Sequence, residues 1–390
     1  MERWQVSGFG LYVHWPFCQS KCPYCDFNSH IATAVDEAIW KGAMIAELRR
    51  LRLETGTRAL SSIFFGGGTP SLMSPNLVEA IISEATSLWP STNDIEITLE
   101  ANPTSAEVEK FKSFRTAGVN RVSIGVQALD DASLRQLGRM HDTAGAYRAI
   151  DMAQSVFDRF SFDLIYARQN QSLADWEREL QQAIAIGPRH LSLYQLTVEP
   201  GTVFGARHAK GHLRGLPSDD LGADMYSVTQ GICEDHGLEA YETSNHATAG
   251  QESRHNLLYW KSGDFAAIGP GSHGRLTAAN GQRRAFSSHL LPETWLKAVD
   301  NAATGEVESA VLTDEEVAEE FLVMGLRLRD GICLTELLDL TGFQISAKSI
   351  KEMQEMCMIE LVGQNLKTTV QGRALLNSIL THLELERPKP

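Results

Sequence analysis

Hydrophobic residues in the first half of the chain form short runs, and longer stretches with the spacing of amphipathic helices separate them. The runs predict strands at residues 11–15, 62–65, 95–100, 121–126, 160–166 and 190–197. The stretches between them predict helices at residues 36–53, 75–88, 105–117, 131–137, 143–155 and 173–186. Serial β–α units favour a parallel sheet with right-handed crossovers. Because a full TIM barrel needs more units than these, the pattern predicts an α/β fold with an incomplete (βα)6 TIM-like barrel.

The pattern changes twice in the second half of the chain. Residues 213–290 are richer in Gly, His and Asn, which predicts loops that extend the sheet region. Beyond them, helices are predicted at residues 315–328, 334–340, 347–356 and 371–383, and a hairpin at residues 359–362 and 367–370. Helices joined to a hairpin are typical of a winged-helix-like module. We therefore expect a partial barrel core (1–212), a barrel extension (213–290) and a small C-terminal winged-helix-like domain (291–390).

Composition narrows the range of partners and compartments. The chain has 390 residues and a net charge of −14, which disfavours nucleic acid and anionic membrane surfaces as partners. No apolar run approaches the length of a membrane span, so we expect no stable membrane insertion. The N-terminus lacks the apolar stretch of a signal peptide. Cys233, Cys333 and Cys357 are widely scattered, which fits free thiols and a cytoplasmic location.

Three cysteines lie close together in the segment HWPFCQSKCPYCDFNSH. Cys18, Cys22 and Cys25 have the spacing C-x3-C-x2-C, and no fourth cysteine follows nearby. Three thiolates can hold three corners of a [4Fe–4S] cluster and leave the fourth iron open to a small molecule. The alternative is a structural zinc site, which needs four ligands and would have to recruit His14 or Asp26. A disulfide is a weaker alternative because the other cysteines are distant in sequence.

Polar and glycine-rich residues follow the predicted strands at their C-terminal ends, where parallel barrels carry their chemistry. Any one of them is explained by an ordinary turn or a solvated side chain, but together they predict a ligand site. Glycine backbone can approach an amino-acid group closely, carboxylates and amides suit ribose hydroxyls or an ammonium, and an arginine suits a carboxylate. An aromatic ring suits adenine. The candidates are Tyr24, Gly66, Gly67, Gly68, Thr69, Glu100, Gln127, Arg139 and Asp163.

The cysteine loop, GGGTP, Glu-x-Asn-Pro, SIGVQ, GRMH and FDLIYA resemble the radical S-adenosylmethionine (SAM) superfamily in their order along the chain. The resemblance implies that the three cysteines ligate a [4Fe–4S] cluster. SAM would bind its fourth iron and, after one-electron reduction, yield methionine and a 5′-deoxyadenosyl radical. It also implies SAM contacts at Tyr12, Tyr24, Gly67, Gly68, Thr69, Glu100, Gln127, Arg139 and Asp163. One departure lies after Asp163: residues 167–171 read Ala-Arg-Gln-Asn-Gln, where the family commonly has a Pro-Gly-Gln element.

Within the superfamily, the chain is similar to the branch that holds the oxygen-independent coproporphyrinogen III oxidases and the HemW heme chaperones. The oxidases have a further cysteine two positions after the third, and this chain has Phe27 there. The segment RHNLLYW matches the H-N-x-x-Y-W signature that HemW-like proteins associate with heme binding. The resemblance implies heme contacts at His255, Asn256, Tyr259 and Trp260, although a buried structural histidine explains the segment equally well. His273 is a second candidate for heme.

These observations predict a heme chaperone that binds heme and a [4Fe–4S] cluster with exchangeable SAM. It would receive electrons from a donor and deliver heme to an acceptor protein. We do not expect it to oxidise coproporphyrinogen III. There are two alternatives: the oxidation of coproporphyrinogen III, and a radical SAM reaction on another tetrapyrrole.

Overall fold

The strands of the protein build one large twisted sheet and three small ones. A computed structural model describes residues 3–32 and 34–388. The strands are β1 (Phe9–Trp15), β2 (Phe17–Cys18), β3 (His30–Ile31), β4 (Leu60–Gly67), β5 (Ser91–Ala101), β6 (Arg121–Gln127), β7 (Arg159–Tyr166), β8 (His190–Gln195), β9 (Glu239–Ala240), β10 (Asn245–Ala247), β11 (Asp264–Ile268), β12 (His273–Thr277), β13 (Arg283–Ser288), β14 (Glu306–Val311), β15 (Ile332–Cys333), β16 (Gln344–Ile345), β17 (Ile359–Val362), β18 (Asn365–Thr368) and β19 (Leu385–Glu386).

Helices separate most of these strands. They are α1 (Arg3–Ser7), α2 (Glu37–Thr55), α3 (Pro75–Leu88), α4 (Ser105–Val108), α5 (Phe111–Thr116), α6 (Asp131–Gln136), α7 (Thr143–Val156), α8 (Leu173–Ala185), α9 (Val203–Ala209), α10 (Asp219–Asp235), α11 (Arg254–Trp260), α12 (Pro292–Ala302), α13 (Asp314–Gly325), α14 (Leu334–Thr341), α15 (Ala347–Glu355), α16 (Val370–Arg373) and α17 (Leu376–His382), with a short 3-10 helix at Pro70–Leu72. Among the described residues, no helix combines the length and apolarity that crossing a bilayer requires.

The large sheet has the strand order β14-β13-β12-β11-β1-β4-β5-β6-β7-β8-β10-β9. Strands β1, β4, β5, β6, β7 and β8 are parallel neighbours in chain order, which confirms the predicted α/β fold with a partial TIM-like barrel. β11 adds another parallel strand on the far side of β1. Antiparallel strands continue the sheet beyond both ends of this parallel run.

Strand β1 shows how the sequence separates the two faces of the sheet. Phe9, Leu11 and Val13 are fully buried in the main hydrophobic core, which also contains Trp40 of α2. Because side chains alternate along a strand, Tyr12 and His14 point to the opposite face. That face carries further polar residues: the barrel interior is therefore lined with hydrogen-bonding groups, while its outside is covered with helices.

Three local predictions were wrong. Residues 213–290 contain the helix α10, which Ser218 caps through a hydrogen bond of 3.3 Å to the backbone of Leu221. The predicted helix at residues 105–117 divides into α4 and α5, and Lys110 is the N-cap residue that precedes the second helix. The last predicted helix starts one residue early and divides into α16 and α17, where Gly372 lies too close to the carbonyl of Met358 for any side chain. Composition and periodicity did not reveal these local breaks.

The C-terminal helices and hairpin enclose a second hydrophobic core, which includes Phe321, Leu337, Met353 and Leu366. Helices α13, α14 and α15 pack with a small sheet of strand order β15-β18-β17, the arrangement of a winged-helix-like module. Helix α12 places Trp295 in the first core, and β14 pairs with β13 of the large sheet. The exact division of the chain at residues 212 and 290 stays a prediction.

Candidate cluster and cofactor site

One cavity lies at the C-terminal ends of strands β4 to β7, beside the cysteine loop. It brings together the three cysteines and eight of the residues predicted to bind SAM. Its lining includes Cys18, Cys22, Tyr24, Cys25, Phe27, Gly67, Gly68, Thr69, Glu100, Asn102, Ser123, Gly125, Gln127, Arg139 and Asp163. Residues far apart in the sequence thus meet at the rim of the barrel, as expected for parallel strands.

The three cysteines are free thiols, and neighbouring groups already orient them. The hydroxyl of Thr69 donates to Cys18 Sγ at 3.3 Å, and Arg139 Nη1 donates to Cys22 Sγ at 3.3 Å. Burial raises the pKa of the Cys18 and Cys25 thiols, while the Thr69 hydroxyl and the N–H of Phe27 oppose that rise. Thiols of this kind give up their protons when a metal replaces them.

Asn102 connects two of these groups and was not among the predicted site residues. Its Nδ2 donates to Thr69 Oγ1 at 3.1 Å, and its Oδ1 accepts from Arg139 Nη2 at 2.5 Å. Arg139 Nη2 also donates to the carbonyl of Gly125 at 2.7 Å. Asn102 and Arg139 therefore bracket the cavity between β5 and β6. The Glu-x-Asn-Pro strand end was the signal that could have identified Asn102.

Gly67, at the end of β4, and Gly68, which follows it, line the cavity beside the cysteine loop where the chain packs tightly on itself. Gly67 has a φ of 110°, a backbone conformation that favours glycine. A Cβ on Gly68 would meet the carbonyl oxygen of Phe17 at 2.8 Å. The backbone of Gly68 and Thr69 is held by hydrogen bonds to Trp15 and Phe17, at 2.7 and 2.9 Å. The absence of side chains thus lets this segment pack closely on the cysteine loop, and its close approach to a ligand stays a prediction.

Two carboxyl groups face the cavity from the barrel interior. Burial, with the nearby charge of Asp163, raises the pKa of Glu100 to about 8, against an opposing hydrogen bond from the backbone of Gly67. Burial raises the pKa of Asp163 to about 6, and hydrogen bonds from Ser192 and Ser123 limit the rise. The pair therefore favours a ligand that carries positive charge or hydroxyl donors.

Gln127 has a strained backbone conformation, and its side-chain oxygen lacks a hydrogen bond within the described part of the chain. Its φ is 73°, in the left-handed region, and the register between β6 and β7 shifts just before it. Within the described part of the chain, its buried Oε1 has no hydrogen-bond partner. A buried acceptor of this kind at the edge of a cavity is a place for a ligand hydroxyl or amine.

The two predicted tyrosines occupy different positions. Tyr24 lines the cavity, and its ring also packs beside Leu134 and Leu137. Tyr12 lies deeper in the barrel, where its hydroxyl is 3.1 Å from His14 Nδ1 and its ring stacks on Phe64. Burial, followed by the charge of Glu100, raises the pKa of Tyr12 well above its usual value. Tyr12 therefore stands between the cavity and the residues of helix α11.

The loop after Asp163 is ordered despite its unusual sequence. Ala167 and Asn170 both adopt left-handed φ values, 57° and 59°. Arg168 holds the loop through a buried ion pair with Glu179, with Nη2 2.6 Å from Oε2. The Arg168–Glu179 ion pair and the two left-handed residues thus shape this loop in place of the Pro-Gly turn that the resemblance implies.

Helix α11 carries the RHNLLYW segment and places its histidine inside the barrel. His255 is 1% exposed, and its ring nitrogens lie 2.8 Å from Ser62 Oγ and 2.7 Å from Tyr259 Oη. Its ring also stacks on Phe64, with centroids 5.0 Å apart. Burial lowers the pKa of His255 to about 3, so the imidazole is neutral. Both nitrogens are engaged in this conformation.

The other residues of the segment face outward to different degrees. Asn256 donates weakly to the hydroxyl of Tyr241, at 3.5 Å. Trp260 lines a cleft between α11 and the C-terminal module, and the guanidinium of Arg327 lies 5.4 Å from its ring centroid. His273 lies at the start of β12 and is mostly exposed. The structure therefore does not bring the candidate heme residues to one surface.

Comparison with known proteins supplies the family. The model of the radical SAM superfamily matches residues 12–183, and that of the HemN C-terminal domain matches residues 312–375. A heme chaperone HemW of Haemophilus influenzae is 36% identical over 387 residues, which cover 96% of this chain and 98% of the relative. The chain belongs to the HemW family of radical SAM proteins.

Other comparisons agree with HemW membership. The heme chaperone HemW of Escherichia coli is 34% identical and covers 96% of this chain and 98% of its own length. A radical S-adenosyl methionine domain-containing protein 1, mitochondrial, of Bos taurus is 39% identical over 96% of this chain and 86% of its own. The solved structure of coproporphyrinogen III oxidase (HemN) from Escherichia coli has a TM-score of 0.80 at 18% identity, over 96% of this chain and 89% of that one. The likeness to HemN concerns the fold.

The residues present at the HemW site fit the groups that the superfamily implies. The same cavity is lined by three free thiols, by the backbone of Gly67 and Gly68, and by Gln127, whose Oε1 has no hydrogen-bond partner among the described residues. In the described part of the chain, no three His, Cys, Asp or Glu side chains converge on a single metal ion. A four-iron cluster, by contrast, binds its cysteines at separate corners.

Proposed function

We propose that this protein is a heme chaperone that holds a [4Fe–4S] cluster with exchangeable SAM and delivers heme to an acceptor protein. The observation that carries the proposal is the joint presence of the three-thiol cavity and near full-length similarity to proteins named heme chaperone HemW. The scattered free cysteines favour a reducing compartment, and we propose the cytoplasm. The acceptor and the electron donor are further protein partners in this proposal.

Cys18, Cys22 and Cys25 would ligate the cluster through their thiolates. When bound, the cluster and SAM supply one-electron chemistry at the barrel rim. Thr69 and Arg139 orient two of the sulfurs, and Asn102 fixes both of these residues. These hydrogen bonds to sulfur also favour the more negative, reduced state of a cluster.

The remaining polar groups of the cavity would bind SAM. The backbone of Gly67 and Gly68, which lines the cavity, would lie beside its amino-acid end, and Glu100 offers an acceptor for the N–H groups of its amine. Gln127 and Asp163 offer acceptors for ribose hydroxyls, and the ring of Tyr24 offers an apolar surface for adenine. Tyr12 lies deeper in the barrel than the cavity, and it would support the SAM site through its contacts with His14 and Phe64.

Heme is the cargo in this proposal, and helix α11 would contact it through His255, Asn256, Tyr259 and Trp260. A histidine ligates heme iron through one free ring nitrogen. For His255 to do so, its bond to Ser62 or to Tyr259 has to open. The bond between Nε2 and Tyr259 lies within one turn of α11, so a side-chain rotation of Tyr259 suffices.

The second candidate function is the oxidative decarboxylation of coproporphyrinogen III, which the HemN-like fold keeps open. Phe27 disfavours it, because this residue takes the position of the additional cysteine in the oxidases. Phe27 is 59% exposed and lines the cavity, so its side chain is not part of the hydrophobic core.

One sample tests both functions. The protein is reconstituted anaerobically with iron and sulfide, titrated with heme, and then assayed with SAM, a reductant and coproporphyrinogen III. The chaperone proposal predicts saturable heme binding and no protoporphyrinogen IX. Product formation by a cluster-replete sample supports the oxidase, and failure to bind heme contradicts the chaperone.

A further inference from the structure

A second polar cavity lies between helix α10 and the hairpin of the C-terminal module. Its volume is about 210 Å³, and it shares no lining residue with the cavity beside the cysteine loop. Tyr226 and Gln230 of α10 line one side, and Thr368 of β18 and Arg373 of α16 line the other. We call it the α10 cavity. A ligand that fills it contacts both parts of the fold.

Three buried hydrogen-bond donors around the α10 cavity have no acceptor. Within the described part of the chain, no acceptor reaches Gln230 Nε2, Thr368 Oγ1 or Arg373 Nε. Thr368 is only 3% exposed, so bulk water does not satisfy its hydroxyl. A buried donor without a partner lowers stability, and native structures contain few of them. Three such donors around one cavity therefore point to a ligand that supplies acceptors.

The sequence brings these donors together from two directions. Tyr226 and Gln230 are four residues apart on α10, so their side chains lie on one face of the helix. Burial raises the pKa of Tyr226 to about 12, and the charge of Arg373 opposes that rise. The guanidinium of Arg373 therefore lies close to the hydroxyl of Tyr226, across the boundary between α10 and the C-terminal module.

The charges of the α10 cavity favour a singly charged anion. Two of its three cations already have partners, because Arg329 pairs with Glu239, and Lys367 Nζ lies 2.9 Å from Glu360 Oε1. In the part of the chain that the structure describes, no carboxylate forms an ion pair with Arg373, the third cation.

A carboxylate suits this arrangement better than a phosphate does. The carboxylates of Glu239 and Glu360 line the α10 cavity, as does the exposed Glu234, and they repel a second negative charge more than a first. A carboxylate has two oxygens that accept from a guanidinium and from neighbouring hydroxyl or amide donors. A metal cation is disfavoured, because the unsatisfied groups are donors.

The volume of the α10 cavity limits the size of the ligand. Pockets for drug-sized ligands typically have about 300–1,000 Å³. The α10 cavity is smaller than that range, so it is too small for a tetrapyrrole and is not a second site for the proposed cargo. A short hydroxy acid or a similar small acid is of suitable size.

We propose that the α10 cavity binds the anion of a small carboxylic acid and that this ligand holds the C-terminal module against α10. Arg373 would donate to the carboxylate, and the Thr368 hydroxyl and the Gln230 amide would donate to its oxygens or to a neighbouring hydroxyl of the ligand. Because the ligand bridges the two parts, its binding should stabilise the folded protein. The proposal goes beyond the proposed function and requires no cluster and no heme.

The test is saturation-transfer difference NMR with lactate as the probe, on the full-length protein without SAM. We expect the dissociation constant of lactate to rise at least about tenfold in Arg373→Gln, which removes the charged donor, and about threefold in Thr368→Val. Lys348→Gln removes a cation from α15 of the same module and should bind lactate like the wild type. Acetate should displace lactate more effectively than phosphate does at equal ionic strength.

Thermal unfolding provides a second readout that does not depend on Arg373. In buffer without carboxylates, Thr368→Val should unfold at a temperature no lower than the wild type, because it removes an unpaired buried hydroxyl. Lactate should then raise the unfolding temperature of Thr368→Val less than that of the wild type. A large destabilisation of Thr368→Val in the absence of carboxylates would show that the hydroxyl has a partner within the protein, and would contradict the inference.

Cys22→Ala separates the α10 cavity from the cluster, whose open iron could also bind a carboxylate. The lactate signal should persist in this variant. Its loss there, or equal lactate affinity in the wild type, Arg373→Gln and Thr368→Val, overturns the inference and leaves the proposed function unaffected. Stronger displacement by phosphate than by acetate would also overturn the assignment of a carboxylate.

Discussion

The cysteine loop and helix α11 carry the two most informative motifs of the chain, and the structure treats them differently. The cysteines lie in a loop at the barrel rim, and their thiols line a cavity with unsatisfied groups around it. His255 lies on a helix, and both of its nitrogens are bonded inside the protein. The first site is arranged to receive a ligand as it stands, whereas the second has to open.

This difference has a physical origin. A loop at the C-terminal edge of a parallel sheet has no periodicity that directs its side chains inward, so closely spaced cysteines can share one cavity. A seven-residue helix that packs on the sheet must bury one face. In α11 that face contains His255 and Leu258, and it therefore carries the histidine into the barrel. The cysteine motif in the loop therefore indicates a ligand site more directly than the RHNLLYW motif in helix α11 does.

The largest expected effect is on the cysteine loop. Cys22→Ala should abolish the cluster after anaerobic reconstitution, because two remaining thiolates do not hold a cubane in place. Iron and sulfide analysis measures the result. Cys357→Ala, which removes an exposed cysteine of the C-terminal module, should retain full iron and sulfide. Equal loss in both variants would contradict a specific role for the loop.

The second effect tests whether α11 has to open. His255→Ala should lower the free energy of unfolding by about 2–4 kcal/mol, since it leaves a cavity and two buried hydroxyls without their partner. It should also weaken heme binding. Tyr259→Phe removes only the partner of Nε2, so heme should bind as fast as or faster than in the wild type. Slower heme uptake in Tyr259→Phe, with normal uptake in His255→Ala, would reverse the assignment.

A substitution at Gly68 should have a smaller effect, on the affinity for SAM. Gly68→Ala should weaken SAM binding about tenfold, or ~1.4 kcal/mol, because the new methyl group displaces the backbone at Phe17. Equilibrium dialysis of the cluster-replete protein with labelled SAM measures it. Gly42→Ala in α2 has open space around its Cβ and should leave SAM affinity unchanged. Equal affinity in Gly68→Ala and the wild type would show that the tight packing of Gly68 against Phe17 does not matter for SAM binding.

The smallest expected effect is the release of a proton when SAM binds. At pH 7 the Glu100 carboxyl, with its pKa raised to about 8, is largely protonated before SAM binds. The positive charges of SAM favour the ionised form and lower that pKa, so binding should release up to one proton near pH 7. Titration calorimetry in buffers of different ionisation enthalpy counts the proton. Because the amino group of SAM also loses a proton when it binds iron, Glu100→Gln should release up to one proton fewer than the wild type, and the same release in both proteins would exclude Glu100 as a source.

The sequence predicted the architecture of the barrel well, because alternating and continuous hydrophobic runs report directly on buried strands. It also predicted most of the rim residues, since consecutive parallel strands end at the same edge. It could not predict that Asn102 joins Thr69 to Arg139, because that contact depends on how adjacent strands are spaced. Nor could it predict that both nitrogens of His255 are bonded, since Ser62 lies almost two hundred positions away in the chain.

The helix breaks were missed for a related reason. α4, α5, α16 and α17 are short, and their ends are set by contacts such as the approach of Gly372 to Met358. Periodicity over a window longer than one of these helices averages such breaks away. Local hydrogen bonds and tertiary contacts, which no hydrophobic pattern records, determined these boundaries.

The most direct test of the central claim is electron–nuclear double resonance on the reduced, reconstituted protein with SAM labelled with 15N at its amino group. If Cys18, Cys22 and Cys25 hold a four-iron cluster with one open corner, the label should show hyperfine coupling to the cluster, and Cys18→Ala should give no cluster signal. A protein that instead contains tightly bound zinc without inorganic sulfide, or a cluster that shows no coupling to the labelled nitrogen, would contradict the account.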